Sequence, residues 1–241
     1  MVSNAEQLKQ IVAKEAVNYV KDGMKLGLGS GSTMYFFMKE LGERVQDGLN
    51  VVGIPTSNKT AEWAKEFNVP LTDFSETQEL DLAIDGADEV DLNLQLIKGG
   101  GGALLREKVV AASAKEFLVI VDESKIVDHL GTFPLPVEVV PFGWEVTAKE
   151  ITALGCELER RTDNGQVYVT DNGNYILDCK FDKILDPEKL NKDLQSLVGV
   201  VENGLFINMT SKVLISDLEQ VKVMEKEEVR GQFNYGSRTF N

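Results

Sequence analysis

Residues 25–44 read KLGLGSGSTMYFFMKELGER. The stretch 25–29 is a short strand, the glycines and hydroxyls make a turn, and 32–44 reads as a helix. Upstream, residues 5–20 place Leu8, Ile11, Val12, Ala16, Tyr19 and Val20 on one side at helical spacing, with Ser3 or Asn4 as the cap. Downstream come a strand at 51–55, a helix capped by Ser57 and running to Phe67, and a compact strand at 81–85 built on Leu82, Ala83 and Ile84. A helix at 103–116 and a strand at 117–121 follow. Strands alternating with helices predict a parallel sheet covered on both faces, whose ligands sit beyond the carboxyl ends of the strands.

The pattern changes near Thr132, where Phe133-Pro134-Leu135-Pro136 opens a segment with a different element order. Strand 137–140, helix 144–154, strands 157–161 and 174–181, helix 187–197 and strand 200–206 spell a split βαββαβ unit. Asp163-Asn164-Gly165 and Asp171-Asn172-Gly173 are turn tripeptides, and Asp186-Pro187 is a cap followed by proline at the first helical position. Strands at 212–215 and 221–224 can return to the first sheet. The division expected is 1–132 plus 207–241 for the main domain and 133–206 for the small one, with the polar tail 231–241 loosely ordered.

Composition narrows the function. The 39 acidic and 25 basic residues give a net charge of −14, which argues against nucleic acid and anionic membrane surfaces as partners. The start of the chain lacks a signal-peptide pattern and no apolar run is long enough to span a bilayer, so a soluble, cytoplasmic protein is expected. Cys156 and Cys179 lie in strand-like segments without metal-binding spacing and read as reduced structural thiols. The single histidine, His129, beside Asp128, reads as a surface or capping residue.

Three segments can carry chemistry. In Gly27-Leu28-Gly29-Ser30-Gly31-Ser32-Thr33 the backbone N–H groups and the following helix start favour a phosphate, with hydroxyls from Ser30, Ser32 and Thr33 as further donors. A ligand-free turn is the plain alternative. Dinucleotide binding fits less well, because Met34 stands where a third glycine belongs and no Walker lysine follows. Asp85-Gly86-Ala87-Asp88-Glu89-Val90-Asp91 puts carboxylates at a strand's carboxyl end, where they can bind sugar hydroxyls or move protons. A solvated acidic turn or a divalent-metal site are the other readings, although the spacing is not that of an EF-hand loop. Lys98 is followed by four glycines, Gly99 to Gly102, then by a helix whose early Glu107 the dipole keeps ionised and able to act as a general base. Taken alone, Lys98, Glu107 and the later Lys125 are as readily solvated surface residues.

In combination the segments are more specific. GLGSGST, DGADEVD and KGGGGALLREK in this order, followed by DESK, FPLPVEVVP, TDNGNYILD and ILDP, closely resemble the ribose-5-phosphate isomerase A family over nearly the whole chain. That resemblance implies a Rossmann-like main domain, an inserted ferredoxin-like α+β domain, and a homodimer or homotetramer with neither metal nor organic cofactor. It implies interconversion of ribose 5-phosphate and ribulose 5-phosphate in the non-oxidative pentose phosphate pathway. Substrate binding then falls to Ser30, Gly31, Ser32 and Thr33, to Asp85, Gly86, Ala87 and Asp88, to Lys98, Gly99, Gly100 and Gly101, and to Lys125. Glu107 aligns with the catalytic base, and Lys98 and Asp85 join it as candidate catalytic groups. The family loop commonly reads GTGST; Ser30 here preserves the hydroxyl. A different sugar-phosphate isomerase or deaminase, or a sugar-phosphate sensor, remain the competing readings.

Overall fold

The computed structural model describes residues 3–225. The tail 231–241, expected to be loosely ordered, lies outside them. A six-stranded sheet forms the centre, running from edge to edge as Val221–Glu225, Lys212–Ser216, Ala114–Asp122, Leu80–Asp85, Lys25–Leu28 and Val52–Pro55. Every neighbouring pair is parallel except the last-formed edge strand, which returns antiparallel. The two strands expected to return to this sheet do so.

Alternation along the strands decides which face each residue buries. Ile84, Leu118, Ile120 and Leu214 point to one face, where helices Asn4–Ala16, Ser32–Gln46 and Asn58–Glu66 supply Val12, Phe37, Leu41 and Ala64. Ala83, Val119, Val121 and Val213 point to the other, against Val110, Ala111 and Phe206. Both faces are therefore covered, as a parallel sheet requires. The first helix is stopped at its start by a capping box, Ser3 and Glu6 each satisfying the other's backbone N–H. Among the described residues no helix is long and apolar enough to cross a membrane.

The helix expected at 103–116 ends early, at Leu104–Ala112. Ser113 turns its hydroxyl back onto Val109 O at 2.8 Å, and its carbonyl accepts from Leu80 N–H at 2.9 Å. From there the chain is strand: Ala114 pairs with Leu80 and Glu116 with Leu82, while Lys115 reaches Asp81 at 2.8 Å. Sheet pairing overrides the helical preference of these residues. On this helix Val109 is 46% exposed, while Val110 and Ala111 are buried.

The inserted unit has its own sheet in the order Val200–Asn203, Leu135–Val139, Tyr175–Lys180, Glu157–Arg160, antiparallel throughout. With helices Trp144–Thr152 and Pro187–Gln195 this is the βαββαβ, ferredoxin-like arrangement, and it closes over a separate core. Asp186 caps its helix by accepting from Lys189 N–H at 2.9 Å, with Pro187 next. Asn164 and Gly165 turn a hairpin between Thr162–Asp163 and Gln166–Val167. Cys156 and Cys179 are free and buried here. His129 is exposed.

The strand expected at 200–206 is two strands in two sheets. Leu205–Phe206 leaves the ferredoxin-like sheet and pairs with Leu96–Ile97, which adjoins Glu89–Asp91, which in turn pairs with Ile126–Val127. Gly204 is the crossing point. Its N–H donates to Pro136 O at 2.8 Å and its carbonyl accepts from Lys98 N–H at 2.9 Å. A Cβ on it would lie 2.3 Å from Lys98 O, so only glycine fits between the two layers. This small sheet of two- and three-residue strands carries Lys98 into the protein.

Candidate active site

In the central sheet the chain moves first to one side of Lys25–Leu28 and then to the other, so a crevice opens beyond the carboxyl ends of Lys25–Leu28 and Leu80–Asp85. A cleft of about 140 Å³ sits there. It is well below the roughly 300–1,000 Å³ of sites for drug-sized ligands. That scale suits a small phosphorylated metabolite and is too small for a dinucleotide. Ser30, Gly31, Ser32, Thr33, Gly86, Ala87, Asp88, Lys98, Gly99, Gly100, Gly101, Glu107 and Lys125 all line it. The three glycine- and carboxylate-rich segments thus converge, together with Lys125.

Lys98 is the hub. Its Nζ lies 3.0 Å from Asp85 Oδ2 and 3.3 Å from Glu107 Oε2, and donates to Gly86 O at 2.7 Å. All three charged side chains are at most 5% exposed. Taking such ions out of water costs on the order of several kcal/mol each, so their protonation states adjust. Burial pushes the Glu107 carboxyl up to about 8, with the neighbouring Asp85 charge adding to the rise and Lys98 opposing it. Burial raises Asp85 too, against Lys98 and two backbone donors. Burial works against the charge on Lys98, yet Asp85 and Glu107 outweigh it and hold the ammonium protonated above the ordinary lysine range. Glu107 Oε2 accepts no hydrogen bond of good geometry although it is fully buried. It is a carboxylate left under-solvated at the floor of a cleft.

Asp85 stands behind Lys98 and does not line the cleft. Its Oδ1 accepts from Ser30 N–H at 3.0 Å and from Gly86 N–H at 2.8 Å, so it ties the first loop to the second. Gly29 must be glycine for this contact, since a Cβ there would fall 2.1 Å from Asp85 Cγ. Asp88 faces the cleft and accepts from Gly100 N–H at 2.8 Å. Glu89 turns elsewhere and holds Gly131 and Phe133 N–H at 2.7 and 2.6 Å; Asp91 caps its own turn at Asn93 and Gln95. The four carboxylates of 85–91 therefore serve separate partners rather than one centre, and among the described residues no group of three or more His, Cys, Asp or Glu side chains could hold a metal ion.

The first loop differs in detail from the expectation. The Ser30 hydroxyl is drawn into a knot with Thr56 Oγ1 at 2.7 Å, Ser57 Oγ at 2.8 Å and Thr60 Oγ1 at 3.2 Å, anchoring the loop to helix Asn58–Glu66. Ser32 and Thr33 open helix Ser32–Gln46, where the backbone N–H groups and dipole favour an anion. Lys9, which sequence reasoning passed over, joins them from the first helix, its Nζ donating to Ser32 Oγ at 2.8 Å. A lone lysine on the polar side of an amphipathic helix carries no signal of this. Asp122 was also passed over. It caps the turn Glu123–Lys125 through Ser124 N–H at 3.0 Å and so aims Lys125 at the rim. Two lysines, a helix start and the buried Glu107–Lys98 pair line one cleft and together can hold a phosphate and move a proton in one small molecule.

Comparison with known proteins gives the family. The family model described as ribose 5-phosphate isomerase A (phosphoriboisomerase A) matches residues 52–220. Ribose-5-phosphate isomerase A 1 of Oceanobacillus iheyensis is 56% identical over 92% of this chain and 100% of its own length. Among solved structures, ribose 5-phosphate isomerase A of Methanocaldococcus jannaschii superposes with a TM-score of 0.88 at 46% identity, covering 93% of this chain and 100% of that one. A D-ribose-5-phosphate isomerase in complex with phospho-erythronic acid superposes with a TM-score of 0.90 at 41% identity over the same shares. On sequence and on structure alike, this chain belongs to the ribose 5-phosphate isomerase A family.

Proposed function

We propose that the chain interconverts ribose 5-phosphate and ribulose 5-phosphate, an aldose–ketose step of the pentose phosphate pathway, with Glu107 as the base. The observation that carries this reading is the buried Glu107 carboxylate at the floor of the cleft, 3.3 Å from the Lys98 ammonium. Moving a proton between adjacent carbons needs one base that can also return it, poised near the working pH. Glu107, raised to about 8 by burial, meets that requirement.

In this reading the substrate phosphate lies against the Ser32–Thr33 helix start, with Lys9 and Lys125 neutralising its charge. Glu107 takes the proton from C2 of the open-chain aldose, electrons move into a C1–C2 double bond, and the negative charge appears on oxygen as an enediolate. Returning the proton to C1, while the O2 hydroxyl proton passes to O1, leaves the carbonyl on C2 and the hydroxyl on C1 and gives the ketose. Lys98 and the Gly101 N–H stabilise the oxygen while it is charged. Asp85 is a candidate catalytic group, but its oxygens are taken by Lys98, Ser30 and Gly86. Asp88, which faces the cleft, is better placed to accept the anomeric hydroxyl's proton, and Asp85 holds Lys98 in register. A homodimer or homotetramer, a cytoplasmic setting, and chemistry without metal or cofactor go with the proposal.

The test is an NMR time course of ribose 5-phosphate in D₂O with chelator-treated protein beside Glu107→Gln. Ribulose 5-phosphate should appear with wild type only, carrying solvent deuterium at the exchanging carbon. Equal conversion by Glu107→Gln would contradict the assignment of the base, and turnover restored only by a divalent ion would contradict metal independence.

A further inference from the structure

The glycine run beside Lys98 takes its shape from the ferredoxin-like unit. Arg161 follows strand Glu157–Arg160 and is gripped by Asp178, Nε donating to Oδ2 at 2.9 Å and Nη2 to Oδ1. Its other nitrogen, Nη1, reaches across to the main domain and donates to Gly99 O at 2.9 Å and Gly100 O at 3.1 Å. Tyr168, whose ring centroid lies 5.8 Å from the guanidinium carbon, donates from its hydroxyl to Gly101 O at 3.4 Å. Three successive carbonyls are thereby drawn to one side.

A trans peptide carries its C=O and N–H on opposite sides, and no described peptide is cis. Holding Gly99 O and Gly100 O toward the ferredoxin-like unit therefore turns the N–H groups of Gly100 and Gly101 the other way. That side is the cleft, which both glycines line and where Gly100 N–H meets Asp88. Successive N–H groups pointing into one concavity bind anionic oxygen. Gly102 N–H also donates to Gly99 O at 2.9 Å and closes the turn, whereas the Gly100 carbonyl takes its hydrogen bond from Arg161, and glycine alone has too many accessible backbone conformations to hold that second peptide. A planar guanidinium anchored on a carboxylate can fix two carbonyls at once; a lysine has no such fork.

We infer that Arg161 is a positioning residue for the isomerisation, fixing two glycine peptide planes so that Gly100 N–H holds Asp88 and Gly101 N–H meets the oxygen that becomes negative in the enediolate. The inference rests on the isomerase reading above. It touches no substrate atom itself, so its signature is a loss confined to the charged state rather than to substrate binding.

The experiment measures kcat and KM for ribose 5-phosphate, and inhibition by phospho-erythronic acid, whose carboxylate mimics the enediolate charge, for wild type, Arg161→Met and Arg161→Lys. Arg161→Met should lower kcat roughly 10- to 100-fold, as a misplacement of catalytic groups does. KM should stay within about twofold, as expected when an interaction made only in the transition state is lost. Inhibitor affinity should fall by a factor similar to kcat, and Arg161→Lys should recover part of both. Unchanged kcat, or a lower kcat with full inhibitor affinity, would overturn the inference. Should Arg161→Met fail to fold, Arg161→Lys decides alone: wild-type values for kcat and inhibitor affinity would overturn it, and a joint fall would support it. Wild-type turnover run alongside separates the two claims, since a parent chain that does not convert ribose 5-phosphate would overturn the isomerase reading and this inference with it.

Discussion

Lys98 and Lys108 are both largely buried, and both present their ammonium groups to the ring of Phe206, at 5.5 and 5.0 Å from its centroid. Their charge surroundings differ. Lys108 has one carboxylate, Glu202 at 2.8 Å, and one carbonyl, Asn203 O at 2.7 Å. Burial lowers its pKa, with Glu202 compensating in part. Lys98 faces two carboxylates, and its pKa moves the opposite way. The Lys108 pair balances and pins the helix that carries Glu107 to the ferredoxin-like unit. Around Lys98, burial first and the neighbouring Asp85 charge second leave Glu107 holding a proton it can exchange. Chemistry sits where buried charge does not cancel, and support sits where it does.

The largest expected effect tests that asymmetry. Glu107→Gln should lower kcat at least about 10³-fold, as removal of a general base does, while ribose 5-phosphate still binds within a few-fold of wild type by calorimetry. Glu202→Gln at the balanced pair should keep activity within roughly tenfold, as expected for a residue away from the reacting atoms. Equal losses in the two variants would erase the distinction. Next comes Lys98→Met, which should cost about 10²–10³-fold in kcat through loss of oxyanion stabilisation. The chain should still fold, because Asp85 and Glu107 can take up protons; circular dichroism checks this.

A pH series sharpens the comparison further. The base must be ionised to act, and its pKa is raised to about 8. Activity measured as kcat/KM should therefore climb about tenfold per pH unit below that value and level off above it. Stability moves the other way. The folded chain keeps the Glu107 proton between its ordinary value of 4.5 and about 8, while the unfolded chain has released it. The raised pKa thus contributes stability that is full below 4.5 and is lost as pH rises through about 8. Glu107→Gln, which has no proton to lose, should melt above wild type at pH 9 and lose that advantage at pH 5. The smallest effect belongs to Lys108→Met. Keeping the stem on Phe206 but leaving Glu202 unpaired should cost about 1–3 kcal/mol in urea unfolding and change kcat only a few-fold.

Much of this was legible in the sequence because glycine, hydroxyl and carboxylate clusters fall at the ends of strands that alternation already marks. The parallel sheet and the βαββαβ unit follow from such local signals, and the convergence of the three loops from the parallel-sheet rule together with the family resemblance. Other features were not legible because they depend on partners distant in the chain. The two-residue strand Leu96–Ile97 is too short to show a period, so the burial of Lys98 was hidden. Residues 114–116 have a helical pattern that only pairing with Leu80–Asp85 overturns. Lys9 and Arg161 act across gaps of 23 and 61 or more residues. Asp85 was recognised as a site residue, but only the structure shows it facing Lys98 rather than the cleft.

The most direct test of the account is an infrared titration of the carboxyl band, taken as the difference between wild type and Glu107→Gln. The account predicts one protonated carboxyl, absent from the variant, that ionises with a midpoint near 8 and tracks the rise of kcat/KM. A Glu107 carboxyl that ionises in the ordinary range near 4.5, with kcat/KM already level by pH 6, would contradict it.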